Sequence, residues 1–372
     1  MAYPAKGRVA LRTNNRRRTA LRAKFRKARL RRWLVVVLVW LMSPIAATAI
    51  FLCSLVPERF AMRMARPLGA LARRGKRNAV LARVDMATGR EPLVGDAAQE
   101  FWRAYLIETG RTIFEAVYLC QLTDVSMLAR IDLFGEEHLS RALEQGRGAV
   151  LFLNHFGNPG TIVSGLGLRG YDLTIASNAM VATIVGEQVE LTYLNRVVRR
   201  MIERGGAKRA LLGDRLPIRL ADTLARNGLF AMFIDFPVPR KHNQFLPFGN
   251  ALMEINLGPA ILVLRHRCPV LCVTTIRVGN NRHRVLIHPA IELPPGADET
   301  AAVALLEQAL QPLWSDVVAK PEQWWPWDWA EIRPAQVESL ATQASEGQHR
   351  ANRISSESPQ RAGAARRQQE AS

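Results

Sequence analysis

From Trp33 to Val56 the chain reads WLVVVLVWLMSPIAATAIFLCSLV, without one charged side chain. A helix needs about 20 apolar residues to cross a hydrocarbon core of ~30 Å, and this run is long enough. Three states fit such a segment: a cleaved signal peptide, a buried core helix, or a membrane anchor. A signal core usually spans about 7–15 residues, shorter than this run, and no A-x-A-like site here is followed by a secreted-type chain. A core helix is compatible with the interruption at Ser43 and Pro44. The expected state is an anchor that either crosses the bilayer or lodges in one leaflet. Residues 1–32 before it hold no acidic side chain and include Arg16-Arg17-Arg18. The positive-inside rule keeps such an arm cytoplasmic. Arg59, Arg63, Arg66, Arg73, Arg74, Lys76 and Arg77 follow the run. Basic flanks on both sides suit an anionic leaflet, with the main domain peripheral to its cytoplasmic face.

The 372 residues carry a formal net charge of +19 and are 48% hydrophobic. That is enough for one large domain or two small ones. The charge favours anionic partners: nucleic acid, acidic lipid or an acidic carrier protein. The anchor ties the basic arm to a bilayer, which argues against nucleic acid. The cysteines are Cys53, Cys120, Cys268 and Cys272. Without a CxxC pair they indicate neither a zinc site nor a disulfide framework, which fits a reducing compartment.

Residues 57–145 read as helical. Within 98–128, Phe101, Tyr105, Ile113, Phe114 and Val117 recur at helical spacing. From Gly146 the pattern changes to short apolar runs separated by amphipathic stretches. Strands are expected at 149–154 (AVLFLN), 172–176, 229–234 (LFAMFI), 270–276 (VLCVTTI) and 284–291. Helices are expected at 217–226, 255–266 and 300–318. This alternation predicts an α/β fold over 146–335, a mixed sheet flanked by helices. Residues 336–372, rich in Ser, Gln, Arg and Ala, are expected to be disordered.

The segment NHFGNPG, from Asn154 to Gly160, carries the chemistry. A buried strand runs straight into His155. Asn158 can cap a helix, and Pro159 suits its first turn. His155 is therefore expected at the C-terminal end of a strand, where ligands bind in α/β sheets. The helix start should add free N–H groups that favour developing negative charge. A His so placed can deprotonate an attacking hydroxyl; the bland alternative is a His that merely hydrogen-bonds in a turn.

NHFGNPG resembles the H-F-G-N-W-E form of the HX4D/E motif of bacterial lipid A biosynthesis acyltransferases, the lauroyl and myristoyl transferases. Three further segments match in order. Phe230 to Phe236 is similar to the strand that ends in Pro-Asp-Gln. FLPFG, Phe245 to Gly249, resembles F-V-P-F-F-G. PEQWWPWDW, Pro321 to Trp329, resembles P-E-Q-W-x-W. The resemblance implies a glycerolipid acyltransferase-like fold in a bacterial inner membrane. It implies transfer of a fatty acyl chain from acyl carrier protein to a hydroxyl of a membrane glycolipid such as a lipid A precursor. His155 would be the general base, and neither metal nor cofactor would be needed. Asn154, Phe156, Gly157, Asn158, Arg204, Arg209, Phe248 and Gly249 are the candidate substrate contacts, and Phe152, Phe156 and Phe248 are expected to flank an acyl groove.

One departure is sharp. The acid position of the motif is Gly160, and Pro159 replaces the Trp before it. A glycine cannot orient an imidazole. Three outcomes stay open: another acid substitutes, Asp235 first and Asp172 second; His155 works alone; or the site is inactive and the protein binds lipid. A second departure is the absence of the family's Tyr-Arg-Pro between Ser177 and Tyr193. The basic stretch Arg199, Arg200, Arg204, Lys208 and Arg209 then either contacts phosphate or forms a solvated helix end. The tryptophans at 324, 325, 327 and 329 either sit at a membrane interface or pack the C-terminal segment on the core.

Overall fold

AVLFL and LFAMF are apolar at every position, and a strand with that pattern must be covered on both faces. The computed structural model places them side by side at the centre of a seven-stranded mixed sheet. It describes residues 57–118, 122–178, 181–184, 187–190, 192–213, 215–235, 242–279, 281–293 and 296–335. The expected basic arm, anchor and disordered tail lie outside the described residues, as do Cys53, Cys120 and Phe236. Among the described residues no helix is long and apolar enough to cross a membrane.

The chain opens with helices α1 (Glu58–Ala72), α2 (Arg77–Thr88), α3 (Gly95–Tyr118) and α4 (Asp124–Leu128). Then come β1 (Ile131–Phe134), α5 (Glu136–Leu143), β2 (Ala149–Leu153), α6 (Gly160–Gly167) and β3 (Leu173–Ser177). A small hairpin of β4 (Val181–Ile184) and β5 (Glu187–Glu190) precedes α7 (Thr192–Arg204) and β6 (Lys208–Leu211). Next are α8 (Leu216–Ala225), β7 (Leu229–Phe233), β8 (Asn243–Phe248), β9 (Ala251–Asn256) and α9 (Gly258–His266). The last elements are β10 (Val270–Gly279), β11 (Arg282–Ile291), α10 (Ala302–Ala319) and β12 (Ile332–Pro334).

The main sheet runs β1-β11-β10-β2-β7-β3-β6. Strands β10, β2, β7, β3 and β6 are parallel; β11 runs against β10, and β1 runs with β11. Alternate residues feed two cores. Val150, Phe152, Phe230 and Met232 face one, with α10 and the hairpin β8–β9. Ala149, Leu151, Leu153, Leu229 and Ala231 face the other, with α5 and α6. Each of the Val, Leu, Phe and Met side chains among them contributes about 1.5–3 kcal/mol by leaving water.

Three expectations need correction. The stretch read as wholly helical contributes β1, whose Ile131 is buried against α6 while its neighbours are part-exposed. The helix expected over 98–128 is two helices, α3 and α4; Thr123 caps the second by accepting from the Ser126 N–H. The helix expected from 255 starts at Gly258. Ile255 and Asn256 instead finish β9, where burial alternates residue by residue. Pro259 then fixes the first turn, and Asn256 Oδ1 accepts from the Gly258 N–H at 2.9 Å.

Helices α1 and α3 cross at backbone contact. A Cβ on Gly69 would collide with the Leu106 carbonyl, and one on Gly110 with the Ala65 carbonyl. Gly110→Val should therefore force the helices apart and cost about 1–3 kcal/mol in urea unfolding. Gly279→Ala, where a Cβ meets nothing within 4 Å, should unfold within about 0.5 kcal/mol of wild type. Equal stability of the two variants would contradict the close crossing.

Candidate active site

Strands β2 and β7 are parallel, and every residue of β2 pairs with the one 80 positions later, ending at Leu153 opposite Phe233. Carrying that register two residues past both strand ends sets His155 beside Asp235. Neighbouring strands lie about 4.8 Å apart, so side chains on the same pleat face meet. Asp235 Oδ1 lies 2.7 Å from His155 Nδ1. Its other oxygen, Oδ2, accepts the His155 backbone N–H at 2.6 Å and the Trp324 indole N–H at 3.0 Å. Both oxygens of the Asp235 carboxylate thus act as acceptors. The His Nδ1 then carries the proton, and Nε2 keeps a lone pair. The Asp235 side chain is 2% exposed and that of His155 16%, so the pair is dry behind and open in front. Phe233 stacks on the imidazole at 4.0 Å, and Trp329 meets it edge-on at 6.1 Å.

The turn after His155 is held from the side by 321–325. Trp325 N–H donates to the His155 carbonyl at 3.0 Å, and Gly157 N–H to the Gln323 carbonyl at 3.0 Å. Trp325 Nε1 donates to the Gly157 carbonyl at 2.9 Å. Gly157 sits at φ +54°, and a Cβ there would strike the Thr275 carbonyl, so the turn needs glycine. Trp324 and Trp327 are buried and the segment packs on the core, which answers the choice left open for these tryptophans.

An apolar cavity of about 160 Å³ opens beside the stacked Phe233. Gly160, Val163, Ile175, Met201 and Ile202 line it, with Arg204 also on its wall. A Cβ on Gly160 would lie 3.1 Å from Asn158 Oδ1 and 3.7 Å from Met201 Cε, which lines the cavity. Position 160 thus faces the cavity.

The other expected site residues are scattered. Asn154 is buried and its Oδ1 accepts from Thr274 Oγ1 at 3.0 Å. Asn158 is buried under the turn, with its Oδ1 on the Gly160 N–H at 3.1 Å. The free N–H groups expected at the start of α6 are spent: those of Gly160, Thr161 and Ile162 go to Asn158 Oδ1, the Asn158 carbonyl and the Pro159 carbonyl. Phe152, Phe156 and Phe248 pack in the core and do not line the cavity. Phe248 meets Trp314 edge-on at 4.3 Å, and Gly249 makes a tight turn at φ +62° against Ala87 and Trp314. Apolar residues near a motif read alike whether they face a cavity or a core, and here they face the core. Asp172 is 2.5 Å from Lys208 Nζ and 3.1 Å from Arg226 Nε, at the entrance to β3. That is the opposite edge of the sheet from His155, so Asp172 is no partner for it. Arg204 pairs with Asp124 at 2.7 Å, and Arg209 donates to Ser177 Oγ at 2.7 Å and to Asn195 Oδ1 at 3.1 Å.

Burial pushes the Cys268 thiol up to about 11 and that of Cys272 up to about 12. Neither supplies a thiolate at neutral pH. Among the described residues no group of three or more His, Cys, Asp or Glu gathers to hold a metal.

The Trp324 bond makes a prediction. Trp324→Phe keeps an aromatic ring but loses the N–H donor to a buried carboxylate and part of the buried volume, so it should cost at least about 1.5–3 kcal/mol in urea unfolding. In an Asp235→Asn background the same change should cost measurably less. Additive losses would show that the indole and the carboxylate are not coupled.

A search of curated proteins found no match to the chain. A family model described as bacterial lipid A biosynthesis acyltransferase matches residues 24–327. That span takes in the His155 turn, Asp235 and most of the tryptophan segment, and the chain belongs to the bacterial lipid A biosynthesis acyltransferase family.

Proposed function

We propose that the chain moves a fatty acyl group from an acyl carrier protein thioester to a hydroxyl of a membrane glycolipid, a lipid A precursor being the model acceptor. The observation that carries this reading is the Asp235–His155 pair, 2.7 Å apart, next to an apolar cavity. In the reaction, His155 Nε2 takes the proton of the acceptor hydroxyl as its oxygen attacks the thioester carbonyl carbon. Asp235 holds the imidazole in the useful tautomer and stabilises the imidazolium that forms. The tetrahedral intermediate collapses, the C–S bond breaks, and the imidazolium returns the proton to the leaving thiolate. Asp235 thereby fills the place left vacant at Gly160.

The cavity suits a stretch of acyl chain, since its wall near Gly160 is apolar and a carboxylate there would occupy it. Residues 33–56 would anchor the protein to the inner membrane and keep the basic surfaces on its cytoplasmic, anionic face.

The test uses the full chain with labelled acyl carrier protein and total membrane lipid. Wild type should pass label to a lipid in an alkali-labile ester. His155→Ala should lower that rate by about 10²–10⁴-fold. Retention of the acyl chain without transfer would favour a lipid-binding role, and transfer unaffected by His155→Ala would overturn the assignment.

A further inference from the structure

Beneath the His155 turn lies a charged cluster that the reaction does not touch. Its hub is Arg277, near the end of β10 and 3% exposed. The guanidinium pairs with Glu108 and with Glu115, the latter at 2.6 Å from Nη2 to Oε2 and 2.9 Å from Nε to Oε1. Both acids sit on α3, and Glu115 is 0% exposed. Glu115 Oε2 also accepts from Asn158 Nδ2 at 2.8 Å. The backbone of Arg277 holds Gln323 from both ends: its N–H donates to Oε1 at 2.8 Å, and its carbonyl accepts from Nε2 at 3.0 Å. One residue thus joins α3, the His155 turn and the segment that clamps that turn.

Burial alone would raise the Glu115 carboxyl, but the Arg277 guanidinium and the neighbouring His283 outweigh it and hold the group well below the ordinary carboxylate range. It is an anion in the core. Such ion pairs add little net stability, because well-packed apolar residues of the same volume serve as well or better. What a satisfied charged network does supply is a fixed geometry. Here the geometry concerns Asn158. One end of its amide holds the first N–H of α6 and the other end is tied to Glu115. With glycine at 160, this amide ties the start of α6 to α3.

We propose that Arg277 and Glu115 are positioning residues for His155, acting through Asn158 and the 155–158 turn. A shift of about 1 Å in a reacting group costs about 10²-fold in rate, so a brace of this kind has kinetic consequences.

The test reads the imidazole directly. In protein labelled with ¹⁵N-histidine, the Nδ1 proton of His155 is identified by its loss in His155→Ala, and its exchange with water is measured. Asn158→Ala cuts the link and leaves the Glu115–Arg277 pair intact. It should keep the wild-type circular dichroism spectrum while that proton exchanges at least about 10-fold faster. Glu115→Leu combined with Arg277→Met replaces the pair by apolar groups, and Glu108 keeps Arg111 as a partner at 2.9 Å. This variant should show the same faster exchange with an unfolding midpoint close to wild type. A kinetic arm, which rests on the acyl-transfer reading, expects kcat to fall by about 10–100-fold with KM unchanged. Unchanged Nδ1 exchange in folded Asn158→Ala would overturn the proposal. The exchange arm needs no substrate, so a failure of the acyl-transfer reading would leave it decisive. If the double variant fails to fold, Glu115→Gln, which keeps the side chain's shape and removes its charge, takes its place: faster exchange supports the proposal and unchanged exchange overturns it.

Discussion

The site depends on one pairing, that of β2 with β7 in parallel register. These two strands fix the sheet centre because each is apolar on both faces. Their shared register sets Leu153 opposite Phe233, and the residues two steps further on become neighbours without any loop having to bring them together. An imidazole and a carboxylate on adjacent strand ends are held by the sheet itself. Positions fixed this way are more exact than positions on flexible loops. The remaining contacts of Asp235, to the His155 N–H and the Trp324 indole, hold its second oxygen and fix the carboxylate's orientation.

Around that pair the protein divides its polar and apolar groups. Trp324 and Trp325 reach the site through N–H donors while their rings fill space, which lets the 321–329 segment pack and orient at once. The apolar cavity has Phe233, which stacks on His155, in its wall. Gly160 puts no charge on the wall of that cavity, and the carboxylate that touches His155 comes from the neighbouring strand end.

Much of the fold could be read from the sequence because buried strands announce themselves. AVLFL and LFAMF have no polar position to confuse with a helix face. His155 and Asp235 were readable as strand-end residues for the same reason. Their adjacency was not, since nothing in one sequence states that β7 lies beside β2 rather than beside β10. The hairpin β8–β9 was missed because FLPFG and ALMEIN hold a Pro and a Glu that break a simple apolar run, although β9 alternates clearly once paired. Glu115 and Arg277 were invisible for a deeper reason. A charge within an apolar stretch usually marks a solvated position, and only long-range pairing buries these two. A faint signal existed in Glu108, Thr112 and Glu115, which recur at helical spacing and place a polar stripe on a helix whose other positions are largely apolar.

The central claim is that Asp235, and no group at position 160, is the acid that supports His155. Turnover of Asp235→Asn, alone and combined with Gly160→Glu, tests it most directly. Loss of a triad-type acid lowers kcat by about 10⁴-fold in a known case, and the account predicts a loss of about that order for Asp235→Asn. Adding Gly160→Glu should not restore the rate, because a side chain at 160 starts against Asn158 Oδ1 and Met201 at the cavity wall. A near-wild-type rate for Asp235→Asn, or recovery in the double variant, would contradict the account.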